Sequence, residues 1–205
     1  MNLKLRKLGT QDYRKTWASM QNVILSKGKE DPDELWLLEH FPVYTLGFGA
    51  SEDHLLSENN IPVVRSDRGG EVTYHGPGQI VAYFLINLRR KKWGPKKFVN
   101  ELEASVIDFL KEYNISSTRQ SGDPGIYVKD KKISSVGLKI KRGFSYHGLS
   151  INIDMDLSPF EKINVCGNKS LKVTHLNKFA EVSIDRAFKD FEKTARERFE
   201  GIMSR

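Results

Sequence analysis

The chain has 205 residues, 39% of them apolar, which suits one sizeable core and one domain spanning 1–205 better than two. Its single cysteine, Cys166, excludes an intramolecular disulfide, and no apolar run approaches the roughly 18 residues of a membrane span. Lysine and arginine exceed aspartate and glutamate by 33 to 26, giving a net charge of +7 and a preference for acidic partners.

The opening stretch "MNLKLRKLGTQDY" has neither the apolar core nor the cleavage site of a secretory leader, so a reducing cytoplasm is the expected compartment. Over residues 11–26, Tyr13, Trp17, Met20 and Ile24 recur at helical spacing, with Thr10 expected to cap the start and Gly28 to end the helix. "ELWLLEH" and "VYTLGFG" read as strands around Pro42, followed by further β-rich runs at "IPVVRS", "EVTYH" and "QIVAYFLINL". A second helix starts at "GPKKF", with Pro95 in its first turn, and buries Phe98, Leu102, Val106, Phe109 or Leu110, and Tyr113. Then come "GIYV", "ISSVGLKI" and "FSYHGLSINI" as strands, with "VKDKK" as a hairpin turn, and a last helix from about Ile184 to Phe199. This order predicts an α/β (α+β) fold, a mixed sheet flanked by helices.

Chemistry concentrates in three stretches. In "DRGGEVTYHGPGQ", residues 67–79, glycines surround Arg68, Thr73, Tyr74 and His75, and their missing β-carbons would let backbone amides approach a carbonyl or phosphate. The spacing fits neither the Walker A loop nor the dinucleotide fingerprint, and an ordinary tight turn has the same composition. In "KDKKISSVGLKI", Lys129, Lys131 and Lys132 read as a solvated hairpin tip, except that Lys132 stands at the threshold of an apolar strand, where its amine would be desolvated. The third stretch, "FEKINVCGN", holds Cys166. Lone cysteines usually pack as small hydrophobes, but Gly167 and Asn168 follow this one in a turn that would expose it. An ordinary thiol with a pKa near 8.5 is only about 3% thiolate at pH 7, so a catalytic role requires a cation or base beside it.

Taken together and in order, "RGGEVTYHGPGQIVAYFLINL", "GDPGIYVKDKKISSVGLKI" with "SYHGLSINIDMDLSPF", and "INVCGN" resemble the lipoyl(octanoyl) transferase family of lipoate biosynthesis, from about residue 39 to residue 168. The resemblance implies a fold like the catalytic domain of biotin and lipoate protein ligases, with an acyl tunnel. It makes Cys166 the residue that accepts the acyl chain as a thioester, and Lys132 the residue that lowers the thiol's pKa and serves as acid and base. The acyl substrate would be lined by Arg68, Gly69, Gly70, Glu71, Val72, Thr73, Tyr74 and His75, by Ser135, Val136 and Gly137, and by Gly148, Leu149 and Ser150. It further implies octanoyl-acyl carrier protein as donor, lipoyl domains of 2-oxoacid dehydrogenases and the glycine cleavage H protein as acceptors, a monomer, and no cofactor, metal, nucleic acid or membrane. One departure is Val165, where the family usually has proline before the cysteine.

Three other readings stand beside this one. A lipoate-protein ligase of the same fold would activate a free acid with ATP, and an amidotransferase would take octanoyl from another lipoyl-bearing protein. A nucleic-acid-binding module would account for the charge and for Trp93 in "RRKKWGPKK", residues 89–97, but no recognition motif is present. That run and "KIKR" at 139–142 are candidate docking patches for acidic proteins, or simply solvated basic faces.

Overall fold

The computed structural model describes residues 3–56, 60–167 and 170–201, without the side chain of Cys166. In chain order the main elements are β1 (Leu3–Gln11), α1 (Tyr13–Ser26), β2 (Asp33–His40), β3 (Val43–Leu46), β4 (Val63–Arg65), β5 (Val72–His75), β6 (Gln79–Leu85), α2 (Leu88–Lys91) and α3 (Pro95–Lys111). They continue with β7 (Thr118–Gln120), β8 (Asp123–Val128), β9 (Lys131–Lys141), β10 (Phe144–Asn152) and α4 (Ile184–Glu200). Seven strands form one sheet in the order β1-β2-β6-β10-β9-β8-β7, and β4-β3-β5 form a second. Each sheet has one parallel pair, β1/β2 and β3/β4, so the expected mixed sheet is present.

Burial on both faces explains why "QIVAYFL" is almost continuously apolar. Successive strand residues point to opposite sides. Ile80, Ala82 and Phe84 therefore join Leu35 and Leu37 under α3 and α4, against Phe98, Leu102, Phe109 and Phe191. Val81, Tyr83 and Leu85 join Trp36 and Leu38 under α1, against Met20 and Ile24. The small sheet packs its own cluster, in which Tyr44, Leu46, Val72 and Tyr74 meet Phe160, Ile163 and Val165.

Two expectations are corrected. Thr10 does not cap α1: it lies inside β1, paired with Glu39, and Asp12 caps instead by accepting from the Lys15 amide at 2.9 Å. Helix α1 ends at Ser26 with Lys27 as its C-cap, its amide donating to the Val23 carbonyl at 2.9 Å, rather than at Gly28. The cause is tertiary, because parallel pairing to β2 holds the chain extended as far as Gln11. Strand β1 itself was not anticipated. Its basic residues and a bulge at Gly9, where φ is +63°, are features that keep an edge strand from recruiting a partner. The "VKDKK" turn does form, with Lys129 and Asp130 both at positive φ (47° and 62°), as a two-residue hairpin requires.

Candidate active site

The β9–β10 hairpin brings two of the predicted wall stretches face to face. In its antiparallel register Ser135 pairs with Ser150, Val136 with Leu149, and Gly137 with Gly148. The glycine loop lies across them. A β-carbon on Gly137 would sit 3.1 Å from the Gly69 carbonyl oxygen and 3.2 Å from the Arg68 side chain, and the Gly69 amide donates to the Leu138 carbonyl at 2.8 Å. That amide is thereby engaged, which removes it from the glycine-loop amides expected to approach a carbonyl or phosphate. Gly148 is required for a different reason: its β-carbon would fall 2.1 Å from the Ala82 carbonyl oxygen on the neighbouring strand. Gly148→Ala is expected to force β6 and β10 apart and to lower the unfolding free energy by about 3 kcal/mol, as read by chemical denaturation.

Between these walls is a cavity of about 600 Å³, within the usual small-molecule range of about 300–1,000 Å³. Every predicted wall residue lines it except Tyr74. Tyr74 turns the other way, into the small sheet's cluster beside Tyr44 and Phe160, because it alternates with Thr73 and His75 along β5. Arg68 is buried and braces the loop: its guanidinium donates to the Thr45 carbonyl at 2.6 Å, the Glu71 carbonyl at 2.8 Å and the Gly69 carbonyl at 3.0 Å.

Lys132 does leave the hairpin tip for the interior. Its side chain is 2% exposed, and its ammonium donates to Asp123 Oδ1 at 2.5 Å. Lys129 and Lys131 stay outside the cavity lining. Asp123 also accepts from the Tyr127 hydroxyl, which makes a buried amine tolerable where a lone charge would be costly. Gly125 is needed alongside, since a β-carbon there would meet Lys132 Cε at 2.6 Å.

The backbone of Cys166 lies in a 3₁₀ turn, Val165–Gly167. Its side chain, and Asn168 after it, fall outside the described residues. Three observations tie the turn to the cavity. Val165 is 2% exposed in the small sheet's cluster, so a buried apolar side chain anchors the turn where the family usually has proline. Gly167 abuts the His54–Glu71 pair (2.9 Å), its β-carbon position lying 3.7 Å from the carboxyl carbon of Glu71, a lining residue. Further on, residues 172–174 clasp the backbone of Lys132, whose amide donates to the Lys172 carbonyl at 2.8 Å and whose carbonyl accepts from the Thr174 amide at 2.9 Å.

The far part of the cavity is a polar aromatic nest that the sequence did not single out, His75 excepted. It contains Tyr13, Tyr83 and His147, with His40 behind them. His147 sits mid-strand at φ +58°, a strained conformation for a non-glycine residue, and bonds Asp67 at 2.9 Å. Burial tends to raise the Asp67 pKa, but hydrogen bonds from His147, Tyr146 and Gln21 outweigh it and hold the carboxyl well below its usual range. Gln79 gives its amide protons to Tyr74 and Asn152, leaving its oxygen to accept from Nδ1–H of His75 at 2.7 Å. Burial depresses His75 to about 3 and His40 to about 4, so both imidazoles are neutral in the fold. Unfolded histidines bind protons near pH 6.5, so between there and pH 4 the unfolded chain holds more of them. Stability is accordingly expected to be complete above pH 6.5 and to fall on acidification, by about 1–2 kcal/mol per histidine at pH 5. Denaturant titrations at pH 7.5 and 5 check this, and His40→Gln should shrink the difference.

The basic run at 89–97 is less available than its composition suggests. Arg90 bonds Asp33 at 2.7 Å, Lys91 bonds the Phe199 carbonyl at 2.9 Å, and Lys97 pairs with Glu101 at 2.5 Å. Arg90 and Lys91 therefore tie distant parts of the chain together, while the Lys97–Glu101 pair lies within α3.

Comparisons with known proteins accord with this geometry. The family model of the lipoyl protein ligase A/B catalytic domain matches residues 12–199. The octanoyltransferase of Vibrio atlanticus (strain LGP32) is 51% identical over 175 residues, which cover 85% of this chain and 80% of that protein. That of Vibrio cholerae serotype O1 is 48% identical over 187 residues, covering 91% and 87%. Among solved structures, a lipoate-protein ligase A bound with ATP aligns with a TM-score of 0.83 at 16% identity, covering 98% of this chain and 86% of that one. The biotin protein ligase of Aquifex aeolicus aligns at 0.58 and 14%, covering 98% and 71%. At such identities these two structures establish a shared fold.

Proposed function

We propose, from the premise that this chain belongs to the lipoyl protein ligase A/B catalytic domain family, that it is an octanoyltransferase acting through a thioester on Cys166. Its donor would be octanoyl-acyl carrier protein and its acceptor a lysine of a lipoyl domain. The observation that carries this reading is the buried Lys132, paired with Asp123 at a cavity whose Glu71 wall abuts the turn containing Cys166.

Two steps account for the chemistry. In the first, the Cys166 thiolate attacks the donor's thioester carbon; the new S–C bond replaces the old one, and the donor leaves as a thiol carrying a proton. One thioester succeeds another, so no nucleotide is needed. In the second, the acceptor lysine's neutral amine attacks the same carbon, an amide forms, and the Cys166 S–C bond breaks to restore the thiolate. Amide formation makes this step downhill. Lys132 as ammonium stabilises the thiolate and can protonate the donor's departing sulfur; as neutral amine it takes the proton that the acceptor nitrogen loses. Asp123 keeps the lysine in place through both steps.

The apolar lining at Val72, Val81, Val99, Val136, Leu138 and Leu149 suits an aliphatic chain, which leaves water on entering. Purified enzyme mixed with octanoyl-acyl carrier protein and unmodified lipoyl domain, without ATP, should raise the lipoyl domain's mass by one octanoyl group. Failure there, with modification when octanoic acid and ATP are supplied, would assign the chain to the ligases instead.

A further inference from the structure

We propose that Phe48 and the rim beside it form the docking face for the acidic protein domain that presents the acceptor lysine, an inference that rests on the acyl-transfer reading above. Phe48 is 83% exposed, more than any other large hydrophobic side chain among the described residues. Its position is nonetheless built rather than loose. The Phe48 amide donates to the Arg68 carbonyl at 2.8 Å, and the Gly47 amide to the Glu71 carbonyl at 3.3 Å. A β-carbon on Gly47 would lie 2.1 Å from the Gly70 carbonyl oxygen, so this loop is flush against the cavity's glycine loop. The ring is therefore held out into water by the same backbone that forms the wall.

What surrounds the ring identifies the occupant. Gly49 lies against Glu71, its β-carbon position 3.7 Å from Oε1, and the β-carbon position of Gly167 lies 3.7 Å from the carboxyl carbon of the same residue. Phe48 thus stands one side chain away from the turn that carries the nucleophile. Lys139 reaches over the ring with its ammonium 5.7 Å from the centroid, and Lys139 and the half-exposed Ile140 after it both line the cavity, so the ring stands at the cavity's edge. Lys141 follows Lys139 on the same face of β9. An exposed aromatic anchor with the Lys139 ammonium over its face and Lys141 further along the same strand suits an acidic partner surface.

Reach separates the acceptor from the donor. A lysine amine extends only about 6 Å from its own backbone, so the acceptor domain must close onto the rim before its nitrogen can meet the acyl carbon. A carrier that delivers its chain on a long arm has no such need.

Phe48→Ala tests this through the two half-reactions. Formation of the octanoyl-enzyme from octanoyl-acyl carrier protein, followed by intact mass, should keep its wild-type rate. Transfer from the octanoyl-enzyme to an unmodified lipoyl domain should show KM raised roughly 10- to 30-fold with kcat little changed, and transfer to a free lysine amide should be unaffected. Phe48→Tyr, which keeps the ring, should restore most of the affinity. An unchanged KM for the lipoyl domain would overturn the proposal, and so would equal slowing of both half-reactions, which would mark Phe48 as structural or as part of the donor's path. If wild-type enzyme takes up no octanoyl group at all, the acyl-transfer reading itself falls and takes this one with it. That failure shows in the first half-reaction and not in the second.

Discussion

Cys166→Ser is expected to lower octanoyl transfer to the lipoyl domain by about 10³-fold or more while leaving the fold intact. A serine hydroxyl is far less acidic than a thiol, so a lysine placed to ionise sulfur at neutral pH, as proposed for Lys132, would not ionise oxygen. Any octanoyl group that reached the substituted hydroxyl would also be held as an oxygen ester, which hydroxylamine cleaves less readily than a thioester. The variant should therefore bind both protein substrates and turn over neither. The surrounding turn gives no reason for collapse, because its anchors are the buried Val165 and the backbone bond from the Gly167 amide to the Asn164 carbonyl at 2.9 Å. Single-turnover assays with circular dichroism as the folding control make the check.

Substitutions of Lys132 should separate the two roles assigned to it. Lys132→Met keeps the aliphatic stem that Gly125 accommodates but removes the charge and the proton, and is expected to slow both steps by about 10²–10⁴-fold. It should fold, since Asp123 is 28% exposed and its carboxylate can recover hydration when the amine is gone. Lys132→Arg keeps the positive charge but cannot give up its proton. It should still stabilise the thiolate and allow acylation, the donor's sulfur departing as a thiolate that takes its proton from water, yet fail to deprotonate the incoming amine, so octanoyl-enzyme should accumulate in that variant and not in Lys132→Met. Comparable loss of both half-reactions in the two variants would mean that the lysine's contribution is mainly positional.

How much of this was legible beforehand depends on the range of the interaction concerned. Strands β6, β9 and β10 and helices α3 and α4 announce themselves by apolar periodicity, because burial imposes it locally. Strand β1 does not, since an edge strand is basic along its exposed positions and gains its structure from parallel pairing with β2. Lys132 was distinguishable from Lys129 and Lys131 by its place at the start of an apolar strand. Asp123, nine positions away, carried no such mark: only the β8–β9 pairing brings its carboxylate to the amine. Tyr74 shows the opposite error. A motif read as a continuous wall ignores that alternate strand residues face opposite sides, so one of its members had to point elsewhere. The His40, His75, His147 and Tyr83 nest draws on four separate strands, and three of its members had no local signature beyond being polar in apolar runs. The basic run at 89–97 likewise gave no sign of its distant partners, which lie at Asp33 and Phe199.

The central claim is the covalent intermediate, and intact-protein mass spectrometry tests it most directly. Enzyme mixed with octanoyl-acyl carrier protein in the absence of acceptor should gain the mass of one octanoyl group. Peptide mapping should place that group on Cys166, hydroxylamine should remove it, and adding unmodified lipoyl domain should discharge it. An unmodified enzyme that still octanoylates the lipoyl domain, or an adduct and normal turnover that persist in Cys166→Ser, would contradict the account.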